Sequence, residues 1–198
     1  TWFYITKTII KGVLGNLDST NPISITIFGV HSSAVIVSSF IGVLLSRRVN
    51  EFYFICAWII LGILVSLLPI LPLNHSIFYL LTVSFSFGFS FGFGMPSCLA
   101  YFSNSTTLEN RGVGGGLIFL ITTLCVPLLL ALSSDLLVLS CVSIVWRGVA
   151  LGSLLLMRPK IVDYEAKSGF SFSSVLSNKP FLLYIIPWLM FCLINNIE

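Results

Sequence analysis

The residues of this chain best able to do chemistry are basic and sit in apolar surroundings. Arg147 falls near the middle of the apolar run 136–157, and His31 lies inside the uncharged run 23–45. Lys7 and Lys11 are one helical turn apart, on one face of the opening stretch TWFYITKTIIKGVLGN. An arginine at the centre of a bilayer costs at least about 2.5 kcal/mol, so Arg147 is expected to face a bundle interior or a watery cavity, or to bond backbone carbonyls. Lys7, Lys11 and Arg147 would attract an anionic solute, with His31 as either a packing residue or a titrating gate. These four are the candidate substrate pathway.

Acidic chemistry is missing from the same runs. Glu51, Glu109 and Asp135 stand at run ends or in links, so no carboxylate proton relay is visible. Cys56, Cys98, Cys125, Cys141 and Cys192 all fall in apolar runs without a C-x-x-C pair or a nearby histidine, and read as small packing residues. There is no Ser/His/Asp, H-E-x-x-H or Cys/His set and no G-x-x-x-x-G-K-[ST] loop. The reading is therefore not an enzyme, with no catalytic residue, no metal and no cofactor.

The elements that must position these groups are set by composition. Hydrophobic residues make up 57% of the chain and charged ones 9%, with a mean hydropathy of +1.04. Soluble domains carry about 25% charged residues, so the expected solvent is lipid and the expected fold is an all-α, polytopic transmembrane helix bundle. Runs of about 20 apolar residues cross a bilayer. Spans are predicted at 23–45, 52–73, 76–102, 113–132 and 136–157, preceded by a partial helix over 1–15. Residues 1–157 form one bundle, 158–179 a long polar link, and 180–198 the start of a second bundle, cut short. The missing initiator Met and the last apolar run breaking off near Glu198 suggest a fragment whose partner is the remainder of its own chain. A net charge of +3, scattered along the sequence, does not suggest nucleic acid.

Within 76–102, small residues and phenylalanine alternate strictly from Ser84 to Gly94, a pattern that by itself signals a strand. The uncharged length of the run decides for a helix. At about 100° per residue the alternation places Ser84, Gly88 and Gly92 on one side and Ser86, Ser90 and Gly94 nearly opposite, with Phe85, Phe89 and Phe93 on a third face. Two small-residue seams predict a helix wedged between two neighbours, because small residues let backbones approach closely in lipid. Gly94-Met95-Pro96 is the expected bend. The glycines at 112 and 114–116 suggest close packing or a mobile helix end.

Lys and Arg accumulate in alternate links, at Arg47, Arg48, Arg111, Arg158, Lys160, Lys167 and Lys179. Positive charge is retained on the cytoplasmic side, so the links at Arg47, Arg111 and 158–179 are placed in the cytoplasm of a cell bounded by the plasma membrane.

This layout resembles the major facilitator superfamily of secondary transporters. The likeness rests on Gly42, Leu44, Arg47 and Arg48 between the second and third family helices, on Glu109-Asn110-Arg111-Gly112 and the glycines after it, and on the long link before the seventh helix. Ser46 stands where the family pattern has Asp, Val49 where it has a second Gly, and Asn50 and Glu51 where it has basic residues. The chain would then run from the end of helix one into helix seven, about six spans. The resemblance implies alternating-access transport of a small solute, with Gly42, Leu44, Arg47, Arg48, Glu109, Arg111 and Gly112 as a cytoplasmic gate that holds one conformation through charge pairing. A non-transporting receptor or scaffold, or a membrane-embedded enzyme, is the alternative.

Overall fold

The computed structural model describes residues 6, 8–12, 22–46, 48–71, 76–132 and 135–157, with isolated positions at 177, 179, 183 and 186; side chains at 108 and 126–132 are outside this description. Every regular element among the described residues is helical. Helix α1 spans Pro22–Ser46, α2 spans Glu51–Leu67 and runs on into a 3-10 turn at Leu68–Ile70, α3 spans Ile77–Ser105, α4 spans Leu108–Leu132 and α5 spans Leu136–Met157. Residues 6 and 8–12 are helical as well.

Among the described residues, four helices are long and apolar enough to cross a membrane: Pro22–Ser46, Glu51–Ile70, Ile77–Ser105 and Leu136–Met157. The expected span at 113–132 lies within α4. Most of the expected first helix, Arg47 and nearly all of the 158–179 link and of 180–198 lie outside the described residues. The chain divides into two units, Thr1–Ile161 and Val162–Glu198. In the second unit only four exposed positions are described, three of them helical.

Helix starts follow local polar chemistry. Asn50 Oδ1 accepts the Phe52 N–H at 3.0 Å, Ser76 Oγ accepts the Tyr79 N–H at 3.2 Å and Asp135 Oδ1 accepts the Leu137 N–H at 3.2 Å. Each satisfies a donor that the first turn leaves open. Pro69 follows the end of α2, and the Tyr79 hydroxyl donates to the Leu68 carbonyl at 2.9 Å, fixing the start of α3 to that turn.

The polar segment 103–112, expected as a link, is almost wholly helical. Only Thr106 and Thr107 break the two helices. Thr106 is extended, with φ −120° and ψ 142°, and Thr107 Oγ1 accepts the Asn110 N–H at 3.3 Å as α4 begins. The physical reason is that hydroxyl side chains close both ends locally and no longer connection is needed.

Side chains separate in the manner of a chain dissolved in lipid. Phe40, Leu44, Tyr53, Phe78, Trp146 and Leu156 are exposed, whereas Ser38, Ser66, Ser84, Ser90, Ser140 and Arg147 are buried. The apolar core joins Ile9, Ile10, Ile27, Val65, Leu80, Val83, Phe87 and Leu139. It therefore draws on the 6–12 stretch, α1, α2, α3 and α5. Water-soluble chains do the reverse, keeping most serines outside.

Candidate functional site

Helix α3 carries its small residues against two different helices. On one side Gly88 and Gly92 meet α1: a Cβ on Gly88 would stand 3.1 Å from His31 Nδ1 and from the Ala34 methyl, and one on Gly92 would collide with the Val35 carbonyl. Gly42 returns the fit from α1, where a Cβ would collide with the backbone of Phe93. On the other side Gly94 lies against the Trp58 ring of α2. The backbones approach this closely because the side chain is absent, which is how helices associate in lipid.

Hydrogen bonds cross both seams. Ser84 Oγ donates to the Ile27 carbonyl at 2.7 Å, and His31 Nδ1 donates to the Ser84 carbonyl at 3.1 Å. A carbonyl accepts only, so the proton sits on Nδ1 in this bond. Ser39 Oγ reaches both Val35 O at 2.8 Å and Gly92 O at 3.2 Å. Gly92 is four residues before Pro96, the position whose carbonyl an α-helical N–H at 96 would fill. Helix α3 is continuous through Pro96, with Ser39 supplying a donor that proline cannot.

Opposite this seam lies the buried cation. Arg147 of α5 is 8% exposed. Its guanidinium occupies the space a Cβ on Gly62 of α2 would take, and its Nη1 donates to Ser90 Oγ of α3 at 3.4 Å. Ser90 also accepts Trp58 Nε1 on its carbonyl at 2.6 Å. Nearby hydroxyls turn back onto their own helices, Ser66 Oγ to Gly62 O at 2.8 Å and Ser143 Oγ to Leu139 O at 2.9 Å. A charge withdrawn from water needs hydrogen-bond partners around it, and here three helices converge to seat it.

Among the described candidate pathway residues, His31 and Arg147 sit in different settings. His31 is on the α1–α3 seam, and Arg147 is at the junction of α2, α3 and α5. Lys11 is exposed, on a stretch that buries Ile9 and Ile10, and Lys7 lies outside the described residues. The described gate residues differ in setting. Gly42 packs α1 on α3, Leu44, Arg48, Glu109 and Gly112 are exposed, and Arg47 is outside the description. Arg111 is half-buried, donating from Nη2 to the Ser103 carbonyl at 2.7 Å and from Nε to Thr106 Oγ1 at 3.3 Å. A cation on the carboxyl end of a helix is favourably placed against its dipole, so Arg111 closes α3 from the first turn of α4.

The glycines of α4 find little. Nothing described lies within 4 Å of a Cβ placed on Gly112 or Gly116, and Gly114 and Gly115 meet only the Phe102 ring, from 3.5 Å outward. Gly62 is the residue sequence reasoning missed, although its spacing of four from Ser66 repeats the small-residue pattern read on α3. No protein-family model, curated protein or solved structure matches the chain.

Proposed function

We propose that the chain is part of a secondary active transporter that moves a small solute by alternating access, the solute carrying an anionic group. The observation that carries this reading is the seating of Arg147 inside the bundle, against Gly62 and Ser90. A buried ionisable group in a membrane span is costly to insert and favours a solute or ion path as the first hypothesis. The likeness to the major facilitator superfamily in the 42–48 and 109–116 segments adds to it, as does a central helix packed through glycines, which lets neighbouring helices slide with little steric resistance. On this reading the Arg48 and Arg111 turns face the cytoplasm of a plasma-membrane carrier, and the remainder of a longer chain supplies the other half of the path.

The test is uptake of a panel of small carboxylates, phosphates and neutral solutes into vesicles holding the full-length protein. Arg147→Gln should abolish uptake of the anionic substrate while Arg147→Lys retains a fraction of it. Solute-stimulated counterflow separates a carrier from a receptor or scaffold. Unchanged transport of every solute by Arg147→Gln would sink the anion assignment, and absence of counterflow for the whole panel would sink the carrier.

A further inference from the structure

Helix α3 is held to its neighbours along one part of its length. Before Pro96 it buries Phe87, Gly88, Ser90, Gly92 and Gly94. Over 98–105 no residue is buried. The hydrogen bonds that tie α3 to other helices divide in the same way. Those with Ile27, His31, Trp58 and Ser39 reach positions 84, 90 and 92, all before the proline. Beyond it, Ser103 O and Thr106 Oγ1 receive Arg111 of α4.

The turn just before the proline is gripped from both sides. Trp58 Nε1 of α2 donates to the Ser90 carbonyl at 2.6 Å, and the Ser39 hydroxyl of α1 stands 3.2 Å from the Gly92 carbonyl. Gly42 brings the α1 backbone against Phe93, and Gly94 lies against the Trp58 ring. Pro96 has no N–H for the Gly92 carbonyl and its ring presses on it, so α3 resists bending least here. The next residue, Ser97, is 3% exposed and its hydroxyl has no hydrogen-bond partner. The acceptor in register is the Phe93 carbonyl four residues back, and a serine that bonds back to that carbonyl bends its helix.

We propose that Pro96 is a joint. Residues 77–94 stay with α1 and α2, while residues 97–105, with the start of α4 tied on by Arg111, swing between the present conformer and a more bent one in which Ser97 Oγ donates to Phe93 O. A buried hydroxyl left unmet raises the energy of the present conformer and bending relieves it, so the two lie close enough to exchange. The joint is separate from the anion reading, since it needs neither a solute nor the charge of Arg147.

The experiment places pairs of nitroxide labels on the full-length protein in lipid vesicles, its own cysteines replaced, and reads distances by pulsed electron resonance without solute. Phe78→Cys and Asn104→Cys mark exposed positions at the two ends of α3, separated by up to about 39 Å at 1.5 Å per residue. This pair should show two distances, whereas Ile25→Cys with Leu44→Cys, along the uninterrupted α1, shows one. Pro96→Ala should collapse the α3 pair onto the longer distance. Ser97→Ala, which keeps the proline, should lower the share of the shorter distance several-fold. Leu99→Cys with Val113→Cys should hold one distance throughout. An α3 distribution as narrow as that of α1, or one unchanged by Pro96→Ala, overturns the joint. No change in Ser97→Ala overturns the bond back to Phe93, and a 99–113 pair as broad as the 78–104 pair overturns the movement of the α4 start with the end of α3.

Discussion

The Ser39 hydroxyl of α1 stands 3.2 Å from the carbonyl of Gly92, whose helical partner Pro96 removes, and shares its one proton between that carbonyl and Val35 O at 2.8 Å. The defect in one helix is thereby met by a side chain of another. Ser39→Ala should cost up to about 1 kcal/mol, the usual net value of a hydrogen bond, since this one is part-buried and shared with Val35 O. With Pro96→Ala in the background, the N–H at 96 returns and Ser39→Ala should cost far less. A double-mutant cycle by thermal unfolding in detergent reads the difference; equal costs in both backgrounds would show that Ser39 and Pro96 act independently.

Gly62→Ala offers a test whose sign is informative. Alanine is favoured over glycine in a helix by about 1 kcal/mol, yet a methyl at this position would stand in the Arg147 guanidinium. The clash should prevail, with a net loss of about 1–3 kcal/mol as in overpacked cores. Combining Gly62→Ala with Arg147→Ala, which empties the notch, should recover part of that loss, and an additive double mutant would rule out the contact.

Glycines of α3 and α4 should respond in opposite directions. Gly88→Ala and Gly92→Ala drive a methyl into the backbone of α1 and should destabilise. Gly112→Ala and Gly116→Ala meet nothing described within 4 Å, and helix propensity alone should stabilise each by up to about 1 kcal/mol. Unfolding midpoints of the four variants settle the comparison.

Arg111→Ala should loosen the end of α3 by about 0.5–1.5 kcal/mol through loss of the bonds to Ser103 and Thr106, and Arg111→Lys should recover only part of it, since a single ammonium cannot span both acceptors. Amide hydrogen exchange at residues 101–107 measures the fraying directly. Exchange unaltered in Arg111→Ala would show that the bonds contribute nothing.

Sidedness is tested by Ser46→Cys and Asn110→Cys in intact cells. Both should react only with reagents that reach the cytoplasm, as the arginine-rich links require. Reaction from opposite compartments would reject the proposed orientation.

Much of the local structure was legible because length and charge fix where a chain can cross lipid. The ends of α1 and α5 follow the expected runs within one residue, and the Phe/Ser/Gly alternation could be sorted by helical angle into the faces that meet Trp58 and His31. The break at Thr106 and Thr107 was not legible as such, since hydroxyl capping lets a polar segment remain helical almost throughout. The meeting of Gly62 with Arg147 could not be read either. It depends on which of several apolar helices lie side by side, and apolar helices in lipid carry no pattern that names their neighbours.

Ser90 holds the Trp58 indole on its carbonyl at 2.6 Å and the Arg147 guanidinium on its hydroxyl at 3.4 Å. A fluorophore is thus wired through one residue to the interior cation. Once Trp2, Trp146 and Trp188 are replaced, a change at that cation should shift the ultraviolet emission of the remaining indole, which then serves as an internal gauge of the junction.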